Sequence, residues 1–156
     1  MAIENACQLA HLNIARMRAP LDSPVMAEFV AQLDTVNAIA DEAPGFVWRM
    51  VEEDPNDPAL IALGPLMLVN LSVWRDAQAL ANYVYRSAHA GVLKERGRWF
   101  LPQERATTVL WWVPGGHIPN LQEATDRLVG LQTWGPSFRA FSFRHLFPPT
   151  SGTHET

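Results

Sequence analysis

Hydrophobic and polar residues alternate along several short segments of the chain, which is the pattern of β-strands that cover a core on one side. The first such segment is QLAHLNIAR, residues 8–16. Four more strands are predicted at 46–51, 66–74, 107–113 and 140–147. A sheet of about five short strands is therefore expected.

Helices are predicted between the strands from capping residues and from apolar residues spaced three and four apart. The first predicted helix begins at Ser23-Pro24 and ends at Pro44-Gly45. Two helical segments, separate or continuous, are predicted at 77–85 and 87–100. The last predicted helix begins at Asn120 and Glu123, which have the spacing of a capping box. The proline-rich segment 52–65 is predicted to be a solvated loop.

The order of these elements predicts an α+β fold with a mixed sheet and helices on one face, because each crossover helix covers the strands that it joins. A chain of 156 residues is the length of one ordinary domain. We expect that domain to span residues 1–147 and a flexible tail to follow over residues 148–156.

The two sides of the predicted strands differ in polarity. In the third predicted strand one side is wholly apolar, whereas the other carries Asn70, Ser72 and Trp74. In the first strand His11 and Asn13 share a side. We expect the apolar sides to meet the helices. The mixed sides would then line a concave surface that a second subunit closes in part.

Composition limits the classes of partner and site. The chain is 48% hydrophobic and carries a formal net charge of −4. It lacks the basic field that nucleic acid or an anionic membrane selects, so neither partner is expected.

The single Cys7 excludes an internal disulfide, and the first residues lack a secretion signal, so a cytoplasmic protein is expected. No spacing of Cys, His or carboxylates indicates a metal site.

The segments HLNIAR, PGFVWRM, VNLSVW, YRSAHAGVLKERGRWF and LWWVPGGHIP resemble the domain of unknown function 3291 family, and they cover most of residues 10–143. The resemblance implies a ferredoxin-like dimeric α/β barrel, in which two subunits pack sheet against sheet and each keeps a pocket between sheet and helices. A homodimer is therefore expected. The superfamily includes cofactor-independent monooxygenases, polyketide cyclases, dehydratases and haem-degrading enzymes, so the fold leaves the function open.

The segment VYRSAHAGVLKERGRWF, residues 84–100, holds candidate catalytic side chains. Tyr85 and Arg86 lie four and three residues before His89, so a helix can present all three on one side. His89 would act as a general acid or base, Tyr85 as a hydroxyl donor and Arg86 as a clamp for a carboxylate or enolate. Asn13 would be a further oxyanion partner. The alternative is a core or capping histidine with Arg86 paired to a surface carboxylate.

Polar and aromatic residues on the mixed strand sides and near strand ends are candidates for substrate binding. Asn70 stands where an apolar residue would pack more readily, so its amide either ties strands together or orients a ligand. Trp111 and Trp112 face opposite sides of one strand, so only one of them can line the pocket. The full set of binding candidates is His11, Trp48, Asn70, Ser72, Trp74, Trp99, Trp112 and His117.

The leading hypothesis is a cofactor-independent cyclase, isomerase or monooxygenase that acts by proton transfer on a hydrophobic aromatic or polyketide-like small molecule. The first alternative is a haem-binding or haem-degrading enzyme with His89 as the iron ligand. Asn13 and the Ala88-His89 pair resemble residues of haem-degrading enzymes, but Tyr83 stands where those enzymes carry a tryptophan. The second alternative is a non-catalytic protein that binds the same kind of molecule.

Overall fold

A four-stranded antiparallel sheet lies at the centre of the computed structural model, which describes residues 7–89 and 95–149. The strands are β1 (Cys7–Arg16), β2 (Phe46–Arg49), β3 (Met67–Trp74) and β4 (Thr108–Pro114). The helices are α1 (Ala27–Glu42), α2 (Pro58–Leu63), α3 (Ala77–His89), α4 (Arg96–Trp99) and α5 (Leu121–Trp134). The strand order β2-β3-β1-β4 with helical crossovers is the ferredoxin-like arrangement, so the predicted α+β fold class is confirmed.

The expectation of a mixed sheet was wrong, because every neighbouring pair of strands is antiparallel. Each helical crossover does join two parallel strands, as expected. Those two strands are never neighbours, however, since β3 lies between β1 and β2, and β1 lies between β3 and β4. Inserting one antiparallel strand into each crossover therefore removes every parallel pair from the sheet.

Helices cover both faces of the sheet, which corrects the expectation that they cover one. We call the two sides the apolar face and the mixed face. The apolar face comprises Ala10, Leu12, Ile14, Val69, Leu71, Val73, Val109, Trp111 and Val113, and packs against α2 and α5. The mixed face carries Leu9, His11, Asn13, Asn70, Ser72, Trp74, Leu110 and Trp112.

The mixed face was expected to be closed by a second subunit, but α1 and α3 of the same chain lie over it. Ala40 and Ala43, at the end of α1, pack in one cluster with Leu9 and Trp74. Leu80 of α3 joins this cluster and is fully buried. The apolar face is taken by α5, whose buried residues recur three and four apart, so neither sheet face is left for a partner sheet.

Three local predictions also differ from the structure. The loop predicted at 52–65 contains α2, because Asp57 accepts a hydrogen bond from the Ala59 amide and Pro58 fits the first turn. The last predicted strand is replaced by isolated bridges, among which Phe141 pairs with Leu110 at the edge of β4. The second predicted helical segment contains α4, which is only four residues long.

The predicted tail falls mostly outside the described residues. None of the described helices combines the length and the apolar character needed to cross a membrane.

Truncating Leu128 to alanine should lower the free energy of unfolding by about 2–5 kcal/mol, because this side chain is 2% exposed between α5 and the apolar face. Val129→Ala is the matched control, since Val129 is 56% exposed and its truncation should change the same free energy by less than about 0.5 kcal/mol. Urea denaturation measures both variants. Equal, small losses would contradict the packing of α5 on the sheet.

Candidate functional site

Two rows of polar side chains cross the mixed face, each running from strand to strand in register. The first polar row consists of Thr108 on β4, Asn13 on β1 and Asn70 on β3, which are direct cross-strand partners. The second polar row consists of His11 on β1, Ser72 on β3 and Arg49 on β2. Because cross-strand partners on one face lie about 5 Å apart, the two rows form one continuous polar floor.

Apolar rows border this polar floor at both ends. At one end Leu9 pairs with Trp74 and Trp112 in the sheet. Trp74 is 1% exposed there, and its ring stacks on Tyr83 of α3 with ring centroids 4.9 Å apart. At the other end Ala15 pairs with Leu68. The sheet thus presents a polar patch between two apolar rows, and small-molecule sites commonly combine apolar and polar residues in this way.

The polar floor is open to solvent at Asn70. This residue lies on β3, an inner strand of the sheet, and on the face that α1 and α3 cover, yet it is exposed. Its neighbour Leu71, on the opposite face, is 2% exposed. Asn13 and Ser72 are half-buried. The helices therefore leave the polar floor uncovered at Asn70, and we call this uncovered part of the mixed face the cleft.

The side chains of the floor divide into those that are held and those that are available. Trp74 Nε1 donates a hydrogen bond of 2.9 Å to Ser72 Oγ, which also lies 3.3 Å from His11 Nδ1. Within the described part of the chain, neither the Asn13 nor the Asn70 side-chain amide has a hydrogen-bond partner. Each amide offers two donors and one acceptor, so both are available to a ligand.

The electrostatics of the cleft favour an oxygen that carries or develops negative charge. Burial lowers the pKa of His11 to about 4, so its imidazole is neutral at pH 7 and keeps one N–H donor. Arg49 is bound by Asp41 through contacts of 2.7 and 3.2 Å. The six residues of the two rows include no carboxylate. Five of the six floor residues are therefore uncharged donors at pH 7, and the charge of the sixth, Arg49, is paired with the Asp41 carboxylate.

Several predicted site residues meet in this cleft. The residues that it brings together are His11, Asn13, Asn70 and Ser72 on the floor, with Trp74 and Trp112 in the apolar row beside it. Trp112 is thus the member of its pair that lies on the mixed face, where Nε1 donates to the Phe147 carbonyl. Trp111 lies on the apolar face, and its Nε1 donates to Glu123.

Other predicted binding residues lie elsewhere. Trp48 packs on the apolar face, because a bulge between Phe46 and Trp48 shifts the register of β2. Trp99 is buried next to Phe29, with ring centroids 5.5 Å apart. His117 Nε2 lies 2.7 Å from Glu123 at the start of α5. These contacts hold each residue in packing or surface structure away from the floor.

The predicted catalytic residues of α3 are not gathered on the cleft side. Tyr85 and Arg86 are both exposed, whereas Leu80, Tyr83 and Ser87 form the buried or half-buried side of this helix. We therefore assign Arg86 no role in the cleft. His89 is the last residue of α3, and its side chain, which the haem alternative also needs, lies outside the described residues.

Sequence reasoning missed Thr108, Arg49 and Tyr83. Thr108 has the same parity as Trp112, so strand alternation could have placed it on the mixed face. Arg49 was hidden by the bulge in β2, which breaks that alternation. Tyr83 lies three residues after Leu80 and four before Ser87, a spacing that puts it on the buried side of α3. Burial raises the pKa of Tyr83, so its phenol stays protonated at neutral pH.

Comparison with known proteins gives one family and several distant structures. Residues 8–156 match the family described as Domain of unknown function (DUF3291). No curated protein matches the sequence significantly.

Three solved structures illustrate the likeness. SnoaB, a cofactor-independent oxygenase from Streptomyces nogalater, is 16% identical with a TM-score of 0.49, over 74% of this chain and 100% of that one. MupZ from Pseudomonas fluorescens is 18% identical with a TM-score of 0.44, over 97% and 94%. A putative antibiotic biosynthesis monooxygenase from Nitrosomonas europaea is 10% identical with a TM-score of 0.46, over 73% and 92%. None of these likenesses assigns a reaction to this chain.

The neutral state of His11 should make stability depend on pH. The unfolded chain protonates this histidine near pH 6.5, but the folded chain does so only near pH 4. The stabilisation is therefore complete above about pH 6.5 and is lost as the pH falls towards 4. We therefore compare the free energy of unfolding of the wild type with that of His11→Asn. The wild-type value minus the variant value should decrease by up to about 3 kcal/mol as the pH falls from about 6.5 to about 4. A constant difference would contradict the burial of His11.

Proposed function

The chain belongs to the DUF3291 family, and we propose that it is an enzyme that works by proton transfer on a hydrophobic aromatic or polyketide-like small molecule, without a bound cofactor. The exposed Asn70 carries this proposal. It lies on an inner strand, opposite Asn13 in register, and both amides lack partners among the described residues. A half-buried amide without a partner loses hydrogen bonds that a ligand could restore.

The proposed substrate has an acidic C–H bond next to an aromatic ketone. Removing that proton leaves an enolate, whose charge sits largely on oxygen. The amide N–H groups of Asn13 and Asn70 would donate to this oxygen, and neutral His11 would supply a further donor. An N–H dipole interacts more strongly with the charge of the enolate oxygen than with the dipole of the ketone, so these donors stabilise the developing anion more than the neutral ketone. The enolate would then isomerise, cyclise or react with dissolved oxygen.

We propose His89 as the base that takes the proton. It ends α3, the helix whose Leu80 and Tyr83 lie over the mixed face. Histidine is the side chain that most often serves as a general base in enzymes. His11 is a poorer base, because burial lowers its pKa to about 4.

The homodimer stays a proposal for this chain. Since α1, α3 and α5 occupy both faces of the sheet, such a dimer would have to use surfaces other than a sheet-on-sheet contact.

Proton transfer can be tested without knowing the natural product, by following exchange of the acidic C–H protons of a panel of aromatic ketones, from α-tetralone to anthrone, in D₂O by NMR. We expect the wild-type protein to accelerate exchange. Asn13→Ala and Asn70→Ala should each slow it by about 10²- to 10³-fold, as removal of an oxyanion donor does. His89→Gln should slow it by about 10²- to 10⁴-fold.

Asn56→Ala is the control, because Asn56 is an exposed asparagine in the loop before α2. Its exchange rate should equal that of the wild type. Equal rates in Asn13→Ala, Asn70→Ala and the wild type would contradict the proposed role of the floor. Saturable binding of a ketone without accelerated exchange would favour the non-catalytic binding protein instead.

A further inference from the structure

An open pocket lies at the end of the sheet, beyond the apolar row of Ala15 and Leu68 that borders the polar floor. Phe100 bridges to Met17, next to the end of β1, and the chain leaves this strand after Leu101. It returns to the strand at Thr107, whose carbonyl accepts a hydrogen bond from the Ile14 amide. The intervening residues bow outward. Between them and the end of β1 they leave a cavity of about 550 Å³. This volume is within the range of small-molecule sites.

Two arginines line this cavity without a carboxylate. Arg18 donates from Nε to the Gly97 carbonyl at 3.0 Å, which fixes its guanidinium at the wall. Arg96 also lines the cavity, and in the described part of the chain neither arginine has a carboxylate partner. Arg98 next to them differs, because Glu28 and Glu95 both bind it. In a chain with more acidic than basic residues, two arginines that line one pocket without an acid indicate a place for an external anion.

The rest of the lining is mainly apolar. Ile14, Phe100, Leu101 and Pro102 form an apolar wall of the pocket, and Leu101 is 39% exposed. A free phosphate would leave this wall unused, whereas a carboxylate with a short hydrocarbon body would cover it. Arginine binds a carboxylate through two parallel N–H donors.

We propose that this cavity is a second binding site, for an amphipathic monocarboxylate. The site does not depend on the proton-transfer reaction proposed for the cleft.

Isothermal titration with sodium octanoate tests this site, with octanamide as the uncharged matched probe. Octanoate should bind saturably, and octanamide at least about tenfold more weakly, since it lacks the charge. Arg96→Gln should weaken octanoate binding by about tenfold or more. Arg18→Gln should weaken octanoate binding by a similar factor. Thermal melting of this variant shows whether loss of the hydrogen bond to the Gly97 carbonyl unfolds the protein.

Two controls locate the site. Arg105→Gln removes an exposed arginine of the same loop that does not line the cavity, and should leave the affinity for octanoate within about twofold. Asn70→Ala should also leave it unchanged, because Asn70 belongs to the cleft. The proposal is overturned by no saturable octanoate binding, by equal affinity for octanamide, or by an unchanged affinity in Arg96→Gln. Loss of binding in Asn70→Ala would overturn it as well, by placing octanoate in the cleft.

Discussion

The antiparallel register of β1 with both of its neighbours is the constraint on which the site depends. It sets Asn13 opposite Asn70 on one side and opposite Thr108 on the other. A shift of one residue would move every side chain of β1 to the other face. The polar residues would then meet α5 without partners, and Leu12 would face the cleft. Burial of the apolar face against α5 therefore holds the polar floor in place.

Four of the six floor residues could be predicted from sequence because strand alternation depends only on local geometry. His11, Asn13, Asn70 and Ser72 were placed together on a mixed face, and the structure has them as cross-strand partners. What covers that face could not be predicted. The strand sequences indicate that the two faces of the sheet differ in polarity. Which helix packs on which face is decided by tertiary packing over the whole chain.

The candidate residues on helices were harder to place than those on strands. Spacings of three and four group residues on a helix side, yet they do not say which side meets the sheet. The 84–100 segment illustrates this, since Tyr83 and Ser87 take the inner side of α3 while Tyr85 is 64% exposed. Tryptophan content was a weak guide for the same reason: Trp48 and Trp99 fill other parts of the core.

The open cleft over Asn70 can be measured directly by cysteine accessibility. In a Cys7→Ser background, Asn70→Cys and Leu71→Cys place a thiol on opposite faces of the same inner strand. We predict that a water-soluble maleimide modifies the folded Asn70→Cys protein at nearly the rate seen in denaturant. Leu71→Cys should react at least about 100-fold more slowly, because its thiol is reached only through transient opening. Equal protection of the two thiols would contradict an open cleft above the polar floor.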